Sequence, residues 1–401
     1  MICSSEYYRL PQSKMPWLLS KRWRFLWTLL TRLNFEDRLV VLVEDCKLSS
    51  DFIFAVLLLH KSPVVESFHL TRRSECSALQ MESWVRFAVD RFVRDLKIDF
   101  EYVSDHCRIR LPSGLFRCET LESLELNRVI LSEVPSRVSL PSLKTLRLIF
   151  LKYEDEESFI RLISSSPVLE DLDVKNSSKD NNGKTFTINV PSLRSLTVYD
   201  MMEDADTNDN VFEIHSHSLN HLDIFEECEE CGNFNIIGDF PKVVEASLEI
   251  DSQGNILESV TFVKRLFLSL YYGAQYPIRT IFFQLVCLKF RRFSENWANL
   301  LVCMLQHSPI LQILKFEDDH PGCWDPDKGC WIPPSCVPEC LLYHLKTFDC
   351  KDIEGTPRQK EVAIYILKNA RQLVTATVSQ HVFEELENET RGSRACELTM
   401  G

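Results

Sequence analysis

The sequence is short of several features that would indicate other classes of protein. Its 11 glycines leave little material for phosphate-cradling loops, and no GxxxxGK[ST], GxGxxG, GxSxG or HExxH motif occurs. The longest apolar run, residues 52–59, is far below the roughly 20 residues that cross a bilayer. The formal charge of -13 disfavours binding to nucleic acid. We therefore expect no catalytic residues, no cofactor, and no binding to nucleic acid or membranes.

The N-terminal residues carry no basic cap followed by an apolar stretch, so we predict no secretory signal. Fifteen cysteines in a long chain without a predicted secretory signal indicate free thiols in a reducing compartment. No run of Lys and Arg marks a nuclear import signal. The expected location is therefore the cytoplasm or the nucleus.

One apolar pattern recurs along most of the chain. Residues 140–148 read Leu-Pro-Ser-Leu-Lys-Thr-Leu-Arg-Leu, and residues 190–198 read Val-Pro-Ser-Leu-Arg-Ser-Leu-Thr-Val. In both, an apolar residue is followed by two more at positions +3 and +5, and the unit returns at intervals of about 20–30 residues, as in leucine-rich repeats. The first residues of the units are Val65, Val93, Leu121, Leu143, Leu169, Leu193, Leu219, Val243, Val263, Leu285, Leu311, Leu345 and Leu373. The pattern predicts about thirteen stacked units.

Each unit supplies a strand, and several also supply a helix. The +3 and +5 residues share one face of a strand, and the residues beside them point to the other face. Apolar residues at helical spacing occur in residues 52–59, 156–163, 297–305 and 361–367. The dipeptides Ser62-Pro63, Ser166-Pro167 and Ser308-Pro309 follow three of these stretches, and proline should end each helix because it lacks an amide hydrogen.

We therefore predict an α/β fold, an irregular leucine-rich-repeat solenoid with a parallel sheet on the concave side, helices and loops on the convex side, and a short helical N-terminal segment. Irregular curvature is expected because Val129 and Leu151 stand where such repeats usually carry Asn or Cys, so that side-chain ladder should be missing. The polar residues 175–184 and 203–210 are predicted to be surface loops.

The side of the sheet opposite the leucines, which we call the open face, is the candidate binding surface. Carboxylates predominate there as far as Asp251, and Arg and Lys predominate from Arg265 to Lys315, which would orient a partner of complementary polarity. The predicted partner-binding residues are Arg147, Asp171, Asp173, Tyr199, Asp223, Phe225, Arg265, Phe267, Lys289, Arg291 and Lys315, with the aromatic ones as anchors. Simple solvated sheet positions are the alternative.

Two groups of Cys and His residues have some metal-binding character. Cys228 and Cys231 have the spacing of two zinc ligands, and a second group consists of His320, Cys323, Cys330, Cys336 and Cys340. Neither spacing matches a known zinc finger, so we predict thiols without a metal, and a zinc hydrolase is the enzyme alternative. His215, His217 and His221 are predicted to be surface residues.

Residues 19–27, Leu-Ser-Lys-Arg-Trp-Arg-Phe-Leu-Trp, resemble the second half of an F-box. In that family, this region packs beside an earlier helix that docks onto the Skp adaptor of a cullin-RING ubiquitin ligase. The resemblance implies a Skp-type adaptor as partner, with Leu18, Leu19, Trp23, Leu26 and Trp27 as contacts. Only Leu10-Pro11 and a short stretch precede the match, so we expect an N-terminally truncated F-box. An end cap for the repeats is the alternative role.

The C-terminal part resembles the FBD domain of plant F-box proteins. Residues 337–341 read Val-Pro-Glu-Cys-Leu, a glycine turn contains Gly355, and residues 365–370 read Tyr-Ile-Leu-Lys-Asn-Ala. The chain thus resembles plant F-box/FBD/leucine-rich-repeat proteins. The expected domains are an F-box-like segment at 1–33, repeats at 34–332, an FBD domain at 333–383 that continues the array, and a polar tail at 384–401.

This resemblance implies a protein-binding module that is not an enzyme, namely the substrate-recognition subunit of a Skp–cullin–F-box type ubiquitin ligase with an unknown protein target. The alternative is an adaptor-free leucine-rich-repeat interaction protein that has lost a working F-box.

Overall fold

The repeated apolar positions become the inward side of parallel strands. In the computed structural model, Leu146 and Leu148 are 0% and 1% exposed, and Leu143 is buried in the turn that leads into their strand. Each predicted unit, from that of Val65 to that of Leu373, coincides with a strand. The predicted leucine-rich-repeat fold is confirmed.

The chain divides into two units, residues 1–194 and residues 195–401. The structure describes residues 26–37, 50–73, 76–100, 107–109, 111–131, 134–153, 155–177, 184–201, 211–227, 235–238, 240–250, 256–270, 280–292, 297–317, 331, 333–351, 353, 355–386 and 391–401.

The first unit has a main sheet of parallel strands in the order β1-β2-β3-β5-β7-β9. A small parallel sheet, β4-β6-β8, lies elsewhere in the unit. The strands are β1 Arg32–Glu36, β2 Ser67–Arg72, β3 Asp95–Phe100, β4 Cys107–Ile109, β5 Ser123–Asn127, β6 Val129–Leu131, β7 Thr145–Ile149, β8 Lys152–Tyr153, β9 Asp171–Ser177 and β10 Thr185–Ile188. The helices are α1 Ser50–Leu59, α2 Ala78–Val89 and α3 Glu156–Ser164, with 3-10 turns at Leu26–Leu29 and Leu115–Arg117.

The second unit has a parallel main sheet in the order β11-β13-β15-β16-β17-β18-β19-β20-β21, and β12 pairs with β14. The strands are β11 Ser195–Met201, β12 Val211–Ile214, β13 His221–Glu227, β14 Asn235–Gly238, β15 Glu245–Ile250, β16 Arg265–Leu270, β17 Cys287–Arg292, β18 Ile313–Glu317, β19 Thr347–Cys350, β20 Thr375–Val378 and β21 Glu397–Met400. The helices are α4 Ile256–Ser259, α5 Trp297–Gln306, α6 Glu339–Tyr343, α7 Pro357–Asn369 and α8 Gln380–Leu386.

Equivalent positions of successive repeats lie side by side. Leu124 pairs in register with Leu146, which pairs with Leu172, so the buried leucines form continuous rows. Hydroxyl groups add a second ladder before the strands. Thr120 Oγ1 donates to the carbonyl of Val93 at 2.9 Å, and Ser192 Oγ donates to that of Leu169 at 2.7 Å. This ladder explains the serine of the repeated Pro-Ser-Leu motif.

At Val129 and Leu151 the side-chain ladder of other leucine-rich repeats was predicted to be missing, and main-chain hydrogen bonds are found nearby. Both residues are buried, and each follows a residue with positive φ, Arg128 at 55° and Phe150 at 50°. Arg128 N donates to the carbonyl of Ile149 at 2.9 Å, and Phe150 N donates to that of Lys175. Main-chain amides therefore link successive repeats at the turn where a side chain usually does so.

The helix predictions are confirmed, with one shift of boundary. α1, α3 and α5 end just before Ser62, Ser166 and Ser308, whose side chains are buried. α7 begins at Pro357, earlier than the predicted residue 361, because Thr356 and Gln359 form a capping box and proline suits the first helical position.

Several elements differ from the predictions. β1 begins at Arg32, inside the segment expected to be helical, because Leu33 and Phe35 supply a buried strand face against β2. β21 lies inside the predicted polar tail, where Leu398 follows the strand alternation and pairs with Ala376 of β20. β9 extends through Lys175 and Asn176 of the first predicted loop, while residues 178–183 and 203–210 lie outside the described residues.

Candidate protein-binding surface

In the first unit, strand register arranges the open face in rows that cross the repeats. The central row consists of Asn34, His69, Lys97, Glu125, Arg147 and Asp173. Side chains alternate along each strand, so these residues face away from the leucine core. The predicted residues Arg147, Asp171 and Asp173 therefore share this face.

The row is held together by ion pairs centred on Lys97. Its Nζ lies 2.7 Å from Glu125 Oε1 and 3.4 Å from Asp99 Oδ2, and Arg147 Nη1 lies 3.5 Å from Glu125 Oε2. Burial alone would lower the pKa of Lys97, but the hydrogen bonds and charges of Glu125 and Asp99 raise it above its ordinary value. Asn127 Nδ2 also donates to Asp99 at 2.8 Å. The central charges are thus fixed by one another.

A second charge contact joins β2 to β3. His69 Nε2 lies 2.7 Å from Asp95 Oδ2, and Ser67 Oγ donates to the same oxygen at 3.3 Å. Burial raises the pKa of Asp95, but these contacts outweigh it and leave the pKa below its ordinary value. The sequence prediction did not include His69 or Lys97, although alternation in the predicted strands beginning at Val65 and Val93 would have placed both on the open face.

Among the described residues, the open-face carboxylates of β9 are not neutralised by ion pairs as those of β3 and β5 are. Within the described part of the chain, neither Asp171 nor Asp173 has a cation within ion-pair distance, and Asp173 Oδ1 is buried without a hydrogen-bond partner. Burial raises the pKa of Asp173, and Glu125 adds to that effect while Lys175 and Arg147 oppose it. Asp173 is therefore the carboxylate of the central row whose charge is least compensated.

In the second unit, aromatic side chains stand on the open face beside small residues. The rings of Tyr199 and Phe225 stack at 4.5 Å with an interplanar angle of 5°. On the open face of the next two strands, Ser247 of β15 pairs in register with Phe267 of β16, and Glu249 pairs with Ser269. The three predicted aromatic anchors therefore lie on one face of this unit.

Phe267 is held by two cations from β17. Lys289 Nζ lies 5.0 Å from the ring centroid, and the Arg291 guanidinium lies 4.7 Å from it. Such contacts contribute about 0.5–1 kcal/mol each at exposed sites. Arg291 also reaches over Ser269 to Glu249, with Nη1 3.2 Å from Oε2. The cluster is prearranged without a partner.

The predicted acidic and basic stretches of the open face contact each other in this unit. Glu245 lies 2.9 Å from Arg265, and Glu317 lies 2.8 Å from Lys289, so carboxylates of neighbouring strands interleave with the cations. The prediction grouped charges by chain position, whereas strand pairing brings distant positions together. Lys315 is exposed, and no described carboxylate lies within ion-pair distance of it. Asp223 lies on β13, next to Ser247.

Of the predicted adaptor contacts, Leu18, Leu19 and Trp23 lie outside the described residues. Leu26 and Trp27 lie in the first 3-10 turn, where Leu26 is exposed and Trp27 is half-buried. The turn is anchored to the end of α1, because the amide of Lys61 donates to the carbonyl of Thr28 at 2.7 Å.

No group of three or more potential metal ligands occurs among the residues that the structure describes. Cys228, Cys231, His320, Cys323 and Cys330 lie outside them. Cys336 is exposed, whereas Cys340 is buried and its Sγ donates to the carbonyl of Leu305 at 3.2 Å. Burial raises the pKa of Cys340 to about 12.

The three histidines predicted to be surface residues lie close together in the chain. His215 and His217 are exposed, and the exposed His221 lies 3.6 Å from Glu245 on the open face.

Over the described ranges, no helix has the length and apolar character needed to cross a membrane.

The buried leucine rows and parallel strands define a leucine-rich-repeat protein. Residues 81–242 match the sequence model for the LRR repeats of FBD-associated F-box protein At5g56370, and residues 333–378 match that of the FBD family. Relatives from Arabidopsis thaliana cover nearly the whole chain. F-box/FBD/LRR-repeat protein At5g56420 is 39% identical over 95% of this chain and 92% of its own. F-box/FBD/LRR-repeat protein At2g04230 is 39% identical over 90% and 83%, respectively. The chain belongs to the F-box/FBD/LRR-repeat family.

Proposed function

We propose that this protein is the target-recognition subunit of a Skp–cullin–F-box type ubiquitin ligase. The open face binds a protein target, and the N-terminal segment that includes Leu26 and Trp27 binds a Skp-type adaptor. The observation that carries the proposal is the 39% identity to an F-box/FBD/LRR-repeat protein over 95% of the chain. Catalysis is left to other subunits of such a ligase.

The open face of the second unit supports the target-binding half of the proposal. Aromatic residues and arginines are enriched where proteins bind one another, and here Tyr199, Phe225, Phe267 and Arg291 are already held in place by their neighbours. Prearranged side chains lose less conformational entropy on binding. A protein target is therefore the partner that this face fits best.

The adaptor half is tested by co-purification of the full chain with a plant Skp-type adaptor. Retention at a constant ratio through size-exclusion chromatography is the expected result. If the adaptor and the chain elute separately at micromolar concentrations, the chain is an adaptor-free interaction protein and the ligase assignment is wrong.

The target half is tested by charge reversal on the open face. Affinity purification with quantitative mass spectrometry compares the natural chain with an Arg265→Glu/Lys289→Glu variant. Lys152→Glu/Lys368→Glu is the matched control, since both lysines are exposed outside the open face. Proteins enriched by the natural chain and the control should be lost from the open-face variant. An unchanged set of captured proteins would contradict binding through this surface.

A further inference from the structure

The first unit carries an apolar surface that the open face does not explain. It consists of six side chains on the first 3-10 turn, α1 and α2, which we call the leucine face: Leu26, Leu29, Phe54, Leu58, Leu59 and Leu79. Leu58 is 86% exposed and Leu79 is 75% exposed. A single exposed leucine is ordinary, but a concentration of them marks an interaction site.

The three elements of the leucine face are connected to one another. The 3-10 turn adjoins the end of α1, where His60 Nε2 lies 2.8 Å from the carbonyl oxygen of Leu30 and the amide of Ser62 donates to that of Thr28 at 3.1 Å. α1 packs on α2 through the rings of Phe54 and Trp84, whose centroids are 5.6 Å apart. The three elements that carry the six side chains are thus packed against one another.

Comparison with α3 shows that an outward apolar surface is not a requirement of the repeat. On α3 the outward side carries charged residues, and Arg161 Nη1 lies 2.9 Å from Glu157 Oε2. α1 has Asp51 in its first turn as its one charged residue, and the positions Phe54, Leu58 and Leu59 that follow it outward are apolar. The outward side of α1 is therefore suited to contact with an apolar partner, whereas the outward side of α3 is suited to contact with water.

We propose that the leucine face extends the adaptor contact, so that the Skp-type adaptor packs on α1 and α2 of the first repeats as well as on the N-terminal segment. This inference rests on the proposed function. The adaptor is the partner we infer because the leucine face continues from the F-box-like residues 19–27. These residues end with Leu26 and Trp27, and Leu26 is also the first residue of the leucine face. Adaptor binding would then be coupled directly to the repeat array.

The test measures the affinity of the full chain for a purified plant Skp-type adaptor by biolayer interferometry. The test variant is Leu58→Glu/Leu79→Glu, and the control is Phe283→Glu/Tyr343→Glu, whose side chains are also more than half exposed but lie in the second unit. We expect the test variant to bind about tenfold or more weakly, because it places charges on two exposed leucines that the adaptor would bury. The control should bind as the natural chain does.

The other outcomes are distinguishable. Equal affinity of all three chains overturns the leucine-face inference and leaves the proposed function intact, whereas no binding by the natural chain overturns both. Thermal unfolding of the test variant shows whether its weaker binding comes from a loss of stability. If its melting temperature falls by several degrees, the leucines are covered by this chain itself and the inference fails. Analytical ultracentrifugation completes the test, since self-association of the natural chain that the test variant abolishes would assign the face to a second copy.

Discussion

The charge network around Lys97 leads to a specific prediction for stability. Lys97 is the cation that serves both Glu125 and Asp99, whose side chains are only 17% and 12% exposed. Replacing it in Lys97→Met removes the charge while retaining a long side chain that can cover the same apolar surface. The substitution therefore isolates the loss of compensation for two largely buried carboxylates.

The expected loss follows from the contacts that remain. Removing one partner of a fully buried ion pair costs about 3–5 kcal/mol, and a hydrogen bond to a charged group contributes about 1.5–3 kcal/mol. Lys97 is itself 31% exposed, Arg147 still lies near Glu125, and Asn127 still donates to Asp99. We therefore expect the free energy of unfolding to fall by about 2 kcal/mol.

Lys144→Met is the matched control. Lys144 Nζ lies 3.5 Å from Glu122, but the two side chains are 56% and 41% exposed, so water screens the pair. Its loss should change the free energy of unfolding by less than about 0.5 kcal/mol. Urea titrations followed by circular dichroism measure both. Equal losses for the two variants would refute the argument that burial of the carboxylates makes Lys97 important.

The pH dependence gives a second readout of the same variant. Contacts with carboxylates raise the pKa of Lys97 above its ordinary value of 10.5, so the folded state binds this proton more tightly than the unfolded state. Its contribution is complete below pH 10.5 and is lost as the pH rises through the folded pKa. The difference between the natural chain and Lys97→Met should thus be constant near neutrality and shrink at strongly alkaline pH.

Three further predictions concern single residues. Gly355→Ala should cost about 2 kcal/mol or more, because Gly355 has φ of 78° and an added Cβ would lie 2.6 Å from a side-chain carbon. Gly114→Ala, where the nearest atom is an ordinary 3.5 Å away, should change stability by less than about 1 kcal/mol in urea titrations. Iodoacetamide at pH 8 should label the exposed Cys336 in the folded protein and spare Cys340, because burial raises the pKa of Cys340 to about 12. Mass spectrometry measures the labelling, and labelling of both cysteines would contradict this prediction. Burial, with the nearby Arg91 charge, lowers the pKa of His60, so stability should fall as the pH drops from 6.5 through the folded pKa, and His60→Gln should remove that slope.

The thirteen main-sheet strands from β2 to β20 were predictable because the same apolar spacing returns in each unit and burial reinforces it. Two helix starts had a readable signal that periodicity alone missed. Ser77 with Gln80 and Thr356 with Gln359 each form a capping box, a pattern of Ser or Thr followed three residues later by Gln. Searching for caps would have located α2, which was not predicted, and the true start of α7.

The charge pairs of the open face could not be read from the sequence in the same way. Arg291 and Glu249 lie on β17 and β15, and their contact requires both the strand register and a small residue, Ser269, on the strand between them. A long side chain at that position would block the bridge. Such pairs depend on the reach of side chains across neighbouring strands, which the order of residues along the chain does not give.

The pairing of these charges changes how the open face can select a partner. Arg265, Lys289 and Arg291 are each within 3.2 Å of a carboxylate oxygen, so their long-range attraction for an acidic target is largely cancelled. A target must instead fit between fixed side chains and replace or complement existing pairs at short range. Specificity then comes from shape and from the positions of the aromatic rings, while the leucine rows beneath maintain stability independently of the target.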